Sequence, residues 1–187
     1  MLLLAGLTLS ARALNDHEVS VDYRNGTYYG SLHLTTPASP AVVMAVLTDF
    51  EHMPEFMPGL TSSRIVAHQH HRYQVAQQGK ISVGPFSIPF ESLRQIELVD
   101  GQRLLSKSLS GSTPRMQSVM QIRPVEGGSE IDYRIEIEPA NWLPASLGSN
   151  FLQHELAEQF NALTREMIRR ERNCPTASTG SHCAILR

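Results

Sequence analysis

Glu130–Arg172 reads EIDYRIEIEPANWLPASLGSNFLQHELAEQFNALTREMIRRER, and its hydrophobic rhythm changes part-way along. From Glu130 to Glu138, Ile131, Tyr133, Ile135 and Ile137 alternate with Asp132, Arg134, Glu136 and Glu138. A period of two puts the apolar set on one face, the mark of a half-buried antiparallel strand. After Pro139 the spacing lengthens: Leu152, Leu156, Phe160, Leu163 and Met167 stand four, four, three and four residues apart. That spacing lines one side of a helix, which the pattern predicts over Ala145–Arg172. Leu147 and Phe151 extend its apolar surface at the start, while His154, Glu155, Glu158 and Arg165 fall on the other side. Strands that give way to one long amphipathic helix specify an α+β domain, a curved antiparallel sheet with the helix across its concave face.

Working outward, the chain before Glu130 supplies the rest of the sheet. Glu18–Arg24 and Thr27–Thr35 flank Asn25-Gly26, a pair that suits a tight hairpin because both turn positions require φ > 0. Tyr28, Gly30, Leu32 and Leu34 share one face of the second arm. Further strands are expected over Arg64–His68, Arg72–Ser82, Phe86–Leu98, Arg103–Leu109 and Arg115–Pro124, with a second hairpin signal at Asp100-Gly101. Met116, Ser118, Met120 and Ile122 fall on one face, as do Phe86, Ile88 and Phe90.

Between hairpin and meander stands SPAVVMAVLTDFEHMPEFMPGL, residues Ser39–Leu60. Ser39-Pro40 opens a helix, since Ser caps free N–H groups and Pro at the first helical position sacrifices no bond. Val42, Val43, Val46 and Leu47 form its buried stripe. Asp49-Phe50 ends it, a short helical turn carries Glu51–Phe56, and Pro54 and Pro58 forbid one long helix. Met53, Phe56, Met57 and Leu60 are too apolar for an ordinary solvated loop, so something must cover them.

This order of elements resembles the helix-grip fold of the START/polyketide cyclase-dehydrase superfamily. The residues that carry the likeness are TPASPAVVMAVLTDFEHMPEFMPGLTSSRIV, with Asp49-Phe50 and Phe56-Met57-Pro58, and NWLPASLGSNFLQHELAEQFNALTREMIRR. It is most similar to bacterial members of the coenzyme Q-binding and ribosome-association-toxin branch. The resemblance spans roughly residues 18–172. It implies a cavity between sheet and long helix, with the Met53–Leu60 turn at its mouth. Inward alternation on the strands and position near that mouth select Phe56, Met57, Met116, Met120, Tyr133, Trp142, Phe151 and Leu152 as the border of one apolar pocket. Taken singly, each is also an ordinary core residue. Gln77, Ser118 and Tyr133 are the inward polar groups that would orient a ligand there.

Composition narrows the function. The 187 residues include 41% hydrophobic ones, suiting one domain with a real core, and the formal net charge of −2 offers no basic run for nucleic acid. Leu2–Leu9 is too short to span a bilayer, and Ala11-Arg12-Ala13 is a small-x-small cleavage pattern. Residues 1–13 are therefore expected to be a signal peptide, the mature chain to begin near Leu14 in the periplasm, and no integral membrane segment to remain; transient membrane contact is compatible with that. Residues 173–187 are expected to be a flexible tail, in which Cys174 and Cys183 either join in a small loop or stay idle.

Clusters that carry chemistry are weak. His68-Gln69-His70-His71 falls at a turn without a carboxylate, so no metal is expected. Asp49, Glu51, His52 and Glu55 read as a solvated helix end, and His154 with Glu158 lacks a third ligand. No nucleophile elbow, Walker loop or dinucleotide fingerprint occurs, so neither a catalytic set nor a cofactor is expected. The reading is non-enzymatic carriage or sequestration of a lipid, isoprenoid or quinone. The alternatives are a polyketide cyclase or aromatase, which needs acid-base groups inside the cavity, and a protein-interaction module.

Overall fold

The structure is a computed structural model and describes residues 13–83, 86–113, 115–138 and 148–174. Eight strands form one antiparallel sheet: β1 (Val19–Arg24), β2 (Thr27–Thr36), β3 (Leu60–Gln69), β4 (Arg72–Val83), β5 (Phe86–Val99), β6 (Arg103–Gly111), β7 (Arg115–Val125) and β8 (Gly128–Glu138). Their spatial order is β1-β2-β8-β7-β6-β5-β4-β3, so the meander returns to pair its last strand with the first hairpin. Among the described residues two α-helices accompany the sheet, α1 (Pro40–Thr48) and α2 (Gly148–Asn173), with 3-10 segments at Asp16–Glu18 and Phe50–Glu55.

The turns form where the dihedral demands predict them. Asn25 and Gly26 take φ of 51° and 83° and close a two-residue hairpin; Asp100 and Gly101 take 56° and 64° in the three-residue loop between Val99 and Arg103. The helix expected from Ala145 is described from Gly148 and runs to Asn173; the residues before Gly148 lie outside the described part. Cys174 follows at once, packs against the core and is disulfide-bonded; Cys183 is outside the described residues. The first 12 residues, on which the signal-peptide expectation rests, are also outside them.

One expectation at α1 needs correcting. Ser39 makes no side-chain cap bond; its hydroxyl and its backbone N–H both donate to Glu171 Oε2, each at 2.9 Å. A carboxylate brought in by α2 is the stronger acceptor, so the helix start is tied to the far end of the chain.

The core lies where α1 and the second half of α2 press on the sheet. Phe50, Ile122, Ile131 and Met167 are almost fully buried. Each such side chain contributes on the order of 1.5–3 kcal/mol by leaving water. α2 reaches the β2–β8 pair closely because position 30 is glycine: a Cβ there would stand 2.8 Å from Ile135 Cγ2 and 3.1 Å from Leu156 Cδ1. At the flank of α2, Gln153 donates to Val19 O at 2.9 Å, and Asn161 bonds both the N–H and the C=O of Leu14.

Candidate functional site

Strand register sorts the concave face into rows. Directly paired residues share a face, so Val75, Arg94 and Ser108 form one row. Ile96, Ser106, Ser118 and Ile135 form the next, and Leu104, Met120, Tyr133 and Leu32 a third. This face meets α2, since the Tyr133 and Phe160 rings lie 4.8 Å apart and Leu156 covers Gly30.

Burial along these strands is uneven. At one end, Leu104, Met120, Ile122 and Ile131 are buried. Towards the other, Phe90, Ser92, Arg94, Ser106, Ser108, Met116, Ser118 and Ile137 face inward yet keep part of their surface accessible. Phe151 and Leu152, at the start of α2, are likewise half-buried, whereas Leu156 and Phe160 further along are buried. Inward residues that stay accessible are packed less completely than the core beside them. Within these rows burial is mixed, since Val75, Ile96 and Ile135 are buried beside the more accessible Arg94, Ser106 and Ser118.

The sequence-selected residues fall in different parts of this layout. Met116, Tyr133 and Leu152 are partly buried against the core on the inner face. Met120, at 9% exposure, belongs to the packed end. Phe56 and Met57 pack against the core from the segment after α1, and the Arg170 guanidinium stands 5.7 Å over the Phe56 ring. Arg170 and Leu152 are 18 residues apart on α2, roughly 27 Å at 1.5 Å per residue, so the two groups lie towards opposite ends of that helix. Trp142 is outside the described residues. Met53 is buried under Gln77, whose Nε2 lies 3.6 Å from its sulfur, so the Met-Pro turns do cover core.

The inner face is more polar than its strands suggest. Arg94 Nη2 donates to Gln77 Oε1, and Gln77 Nε2 donates to Ser63 Oγ at 3.1 Å. Tyr133 hydrogen-bonds with Ser118; burial pushes its phenol up, against the opposing pull of that bond and of Arg94. The phenol therefore keeps its proton at neutral pH. Burial pulls the Arg94 guanidinium down, with the Tyr133 phenol acting the other way, and no ion pair joins Arg94 to a carboxylate among the described residues. Arg94 Nε, Ser106 Oγ and Ser108 Oγ are covered and have no hydrogen-bond partner among the described residues.

Sequence reasoning found Gln77, Ser118 and Tyr133 but missed Arg94. The signal was present, because Arg94 continues the even-numbered face of Phe86, Ile88 and Phe90 into Ile96. A charged residue amid a period-two apolar face is the anomaly that marks such a position.

Elsewhere the polar clusters are structural. His68 stacks on Tyr73 with centroids 4.1 Å apart, and its Nε2 lies 2.8 Å from His70 O. Of the group read as a solvated helix end, Glu51, His52 and Glu55 are exposed, while Asp49 also joins a network: His52 Nδ1 lies 2.6 Å from Asp49 Oδ1, and Arg170 links Asp49 to the buried Glu166. On the convex face an open trough of about 520 Å³ is lined by charged side chains, among them Glu97, Lys107, Arg134 and Glu136, together with the apolar Leu105 and Val119.

A family described as polyketide cyclase / dehydrase and lipid transport matches residues 36–164, well over half of the chain. The chain belongs to this family. Its solved structural neighbours agree on the fold. A protein from Thermus thermophilus superposes with a TM-score of 0.64 at 18% identity, covering 78% of this chain and 98% of that one. A STAR-related lipid transfer protein from Xanthomonas axonopodis gives 0.64 at 13% identity, covering 80% and 98%. The Zhui aromatase/cyclase from a Streptomyces species gives 0.60 at 11% identity, covering 83% and 99%. No curated protein matches the sequence. Membership of the polyketide cyclase/dehydrase and lipid transport family implies a hydrophobic ligand, and no helix among the described residues is long and apolar enough to cross a membrane.

Proposed function

We propose that the chain carries or sequesters a lipid, isoprenoid or quinone between the concave face of the sheet and the first half of α2, without transforming it. The observation that supports this most directly is the residual accessibility of one inward row of β5–β8, Arg94, Ser108, Met116 and Ile137, beside half-buried Leu152. Asp49-Phe50 and Phe56-Met57-Pro58 support a place near the coenzyme Q-binding and ribosome-association-toxin branch. Mass spectrometry of an organic extract of natively purified protein tests the reading: a stoichiometric apolar molecule is expected, and an empty extract together with no uptake of an apolar fluorescent probe would end it.

A cyclase-type enzyme is the second reading, and one observation favours it. Tyr133 holds its proton inside the domain, hydrogen-bonded with Ser118 and within the influence of Arg94, which is an acid in an enclosed polar site. Recovery of the extracted molecule in chemically altered form after incubation with fresh protein would decide for the enzyme.

Export to the periplasm, with cleavage near Leu14, is part of the same proposal. It rests on the Leu2–Leu9 apolar run and Ala11-Arg12-Ala13. N-terminal sequencing of protein from its own host is the check, and a cytoplasmic product that keeps Met1–Ala13 would refute it.

A further inference from the structure

Arg94 is a cation turned toward the interior of the domain, and its surroundings leave it unbalanced. Burying a guanidinium is costly unless an anion or a full set of hydrogen bonds compensates. Here Gln77 Oε1 takes one N–H from Nη2, and Gln77 itself is held by Ser63. The Nε edge has no acceptor, and the hydroxyls of Ser106 and Ser108 are without partners as well, among the described residues. Ser108 is the direct cross-strand neighbour of Arg94, and Ser106 is the neighbour of Ile96, two residues along the same face. Three unpaired donors thus converge on one patch of the inner wall. Leaving such buried groups unsatisfied is costly.

Ordinary core chemistry does not explain such a patch. A neutral core at position 94 would leave the serines free to bond backbone or each other, and an internal counter-ion would come from a neighbouring strand. Among the described residues, the polar partners around the guanidinium are Gln77 and, more weakly, the Tyr133 phenol, and neither is an anion at neutral pH. What fits is a planar acceptor with several lone pairs that can meet a guanidinium edge and two hydroxyls together. A carboxylate has that geometry, and the arginine fork matches it bidentately.

We propose that Arg94, with Ser106 and Ser108, is the head-group site for an amphipathic carboxylic acid whose apolar tail lies along Met116, Ile137 and Leu152. This rests on the reading that the space between sheet and α2 takes an apolar molecule, and narrows that molecule to one with an acidic head. Arg94 keeps part of its surface accessible, so the head reaches the guanidinium and draws its covered edge into the paired geometry as it docks. The hydroxyls and Nε then gain acceptors that the ligand-free chain denies them.

Displacement of the neutral fluorescent probe N-phenyl-1-naphthylamine by dodecanoic acid and by 1-dodecanol tests this at pH 8, where the acid is ionised. The two competitors share one tail and differ in the head. Wild type is expected to prefer the acid by about tenfold or more, the scale of one charge-assisted pair. Arg94→Met is expected to bring the ratio to about one, because the tail contacts are common to both. Arg94→Lys keeps the charge but not the fork, so an intermediate ratio is expected. The ratio is internal to each protein, and the wild-type comparison stands even if Arg94→Met does not fold. Equal displacement by acid and alcohol in wild type, or an acid preference that survives in Arg94→Met, overturns the head-group site alone. No uptake of the probe by wild type overturns the cavity reading and this site with it.

Discussion

Arg170 donates from Nη2 to Asp49 Oδ2 at 2.7 Å, joining the last turns of α2 to the residue that ends α1. Its Nε also meets Glu166 Oε1 at 2.6 Å, and Arg169 holds the same carboxylate with two bonds of 2.7 and 2.6 Å. Glu166 is buried, so removing one of its cations leaves charge poorly compensated in the interior. Arg170→Met is expected to lower stability by about 1–3 kcal/mol, the cost of orphaning charged hydrogen-bond partners. Arg169 remains to hold Glu166, which keeps the loss below that of a fully broken buried pair. Urea denaturation measures it; an unchanged midpoint would mean that the two helices are held by apolar packing alone.

The same network sets a pH dependence. Hydrogen bonds from Arg169 and then Arg170, opposed by burial, hold Glu166 below its ordinary value of 4.5. At Asp49 burial pushes upward, but the bonds with His52 and Arg170 prevail, and the carboxyl sits below its ordinary 3.8. A depressed folded pKa means that the unfolded chain binds more protons, so this stability is present above the ordinary carboxylate values and is lost as pH falls through the folded ones. His52 works in the opposite sense: the bond with Asp49 raises it, so its contribution is present below 6.5 and fades as pH rises through the folded value. Denaturation midpoints should therefore fall steeply on acidification below 4.5, and Glu166→Gln should flatten that fall while lowering stability at neutral pH. A Glu166→Gln profile parallel to wild type would remove this carboxylate from the acid response.

These relationships show how far the sequence could be read. Period two in β8 and period 3.6 in α2 are local patterns, and they placed strand, helix and inner face because a single side-chain spacing fixes each. The partnership of Ser39 with Glu171 was not visible, because the two are 132 positions apart and Ser39 reads locally as a cap. The inward place of Arg94 was legible from the even-numbered face of its strand, but the missing partner of its Nε among the described residues was not. Its isolation depends on what the paired strands β4 and β6 place beside it, and no single-strand pattern reports that. The difference in burial along β7 was equally out of reach: Met116 and Met120 have the same alternation, and what each meets across the domain is set by residues far away in the chain.

Close approach of α2 to the sheet makes Gly30 sensitive. Gly30→Ala places a Cβ 2.8 Å from Ile135 Cγ2 and 3.1 Å from Leu156 Cδ1. Leu156 can swing aside, but the γ-methyl of a β-branched strand residue has little freedom. A loss of about 1–3 kcal/mol is expected from this overpacking, and more from Gly30→Val. Thermal and urea unfolding provide the measure. Wild-type stability in both variants would show that α2 lies further from β2.

Asn161 is expected to govern the segment before β1. Its Oδ1 accepts from Leu14 N–H at 2.7 Å and its Nδ2 donates to Leu14 O at 2.9 Å. Asn161→Leu removes both partners at once, at about 0.5–1.5 kcal/mol per bond. Faster hydrogen exchange is expected at residues 14–18 with little change in β7 or β8, which lie away from this contact. Uniformly raised exchange would show instead that Asn161 supports the whole domain.

Two methionines on one strand separate cavity from core. Met116 is half-buried at the open end of β7, across from Ile137, while Met120 is 9% exposed at the packed end, between Leu104 and Tyr133. Enlarging a side chain costs little where it grows into open space and about 1–3 kcal/mol where it meets packed neighbours. Met116→Trp should therefore fill the interior, weakening uptake of N-phenyl-1-naphthylamine by about tenfold or more, with a stability change under about 1 kcal/mol. Met120→Trp should show the reverse order, a marked loss of stability that precedes any specific effect on uptake. His52→Ala serves as the control for uptake, since His52 is exposed and outside the inner face. Unfolding midpoints and probe titrations on the same three proteins give the comparison. If Met116→Trp and Met120→Trp destabilised alike and both bound the probe as wild type does, the residual accessibility of Met116 would be a shallow surface feature. The interior space would then have to lie elsewhere.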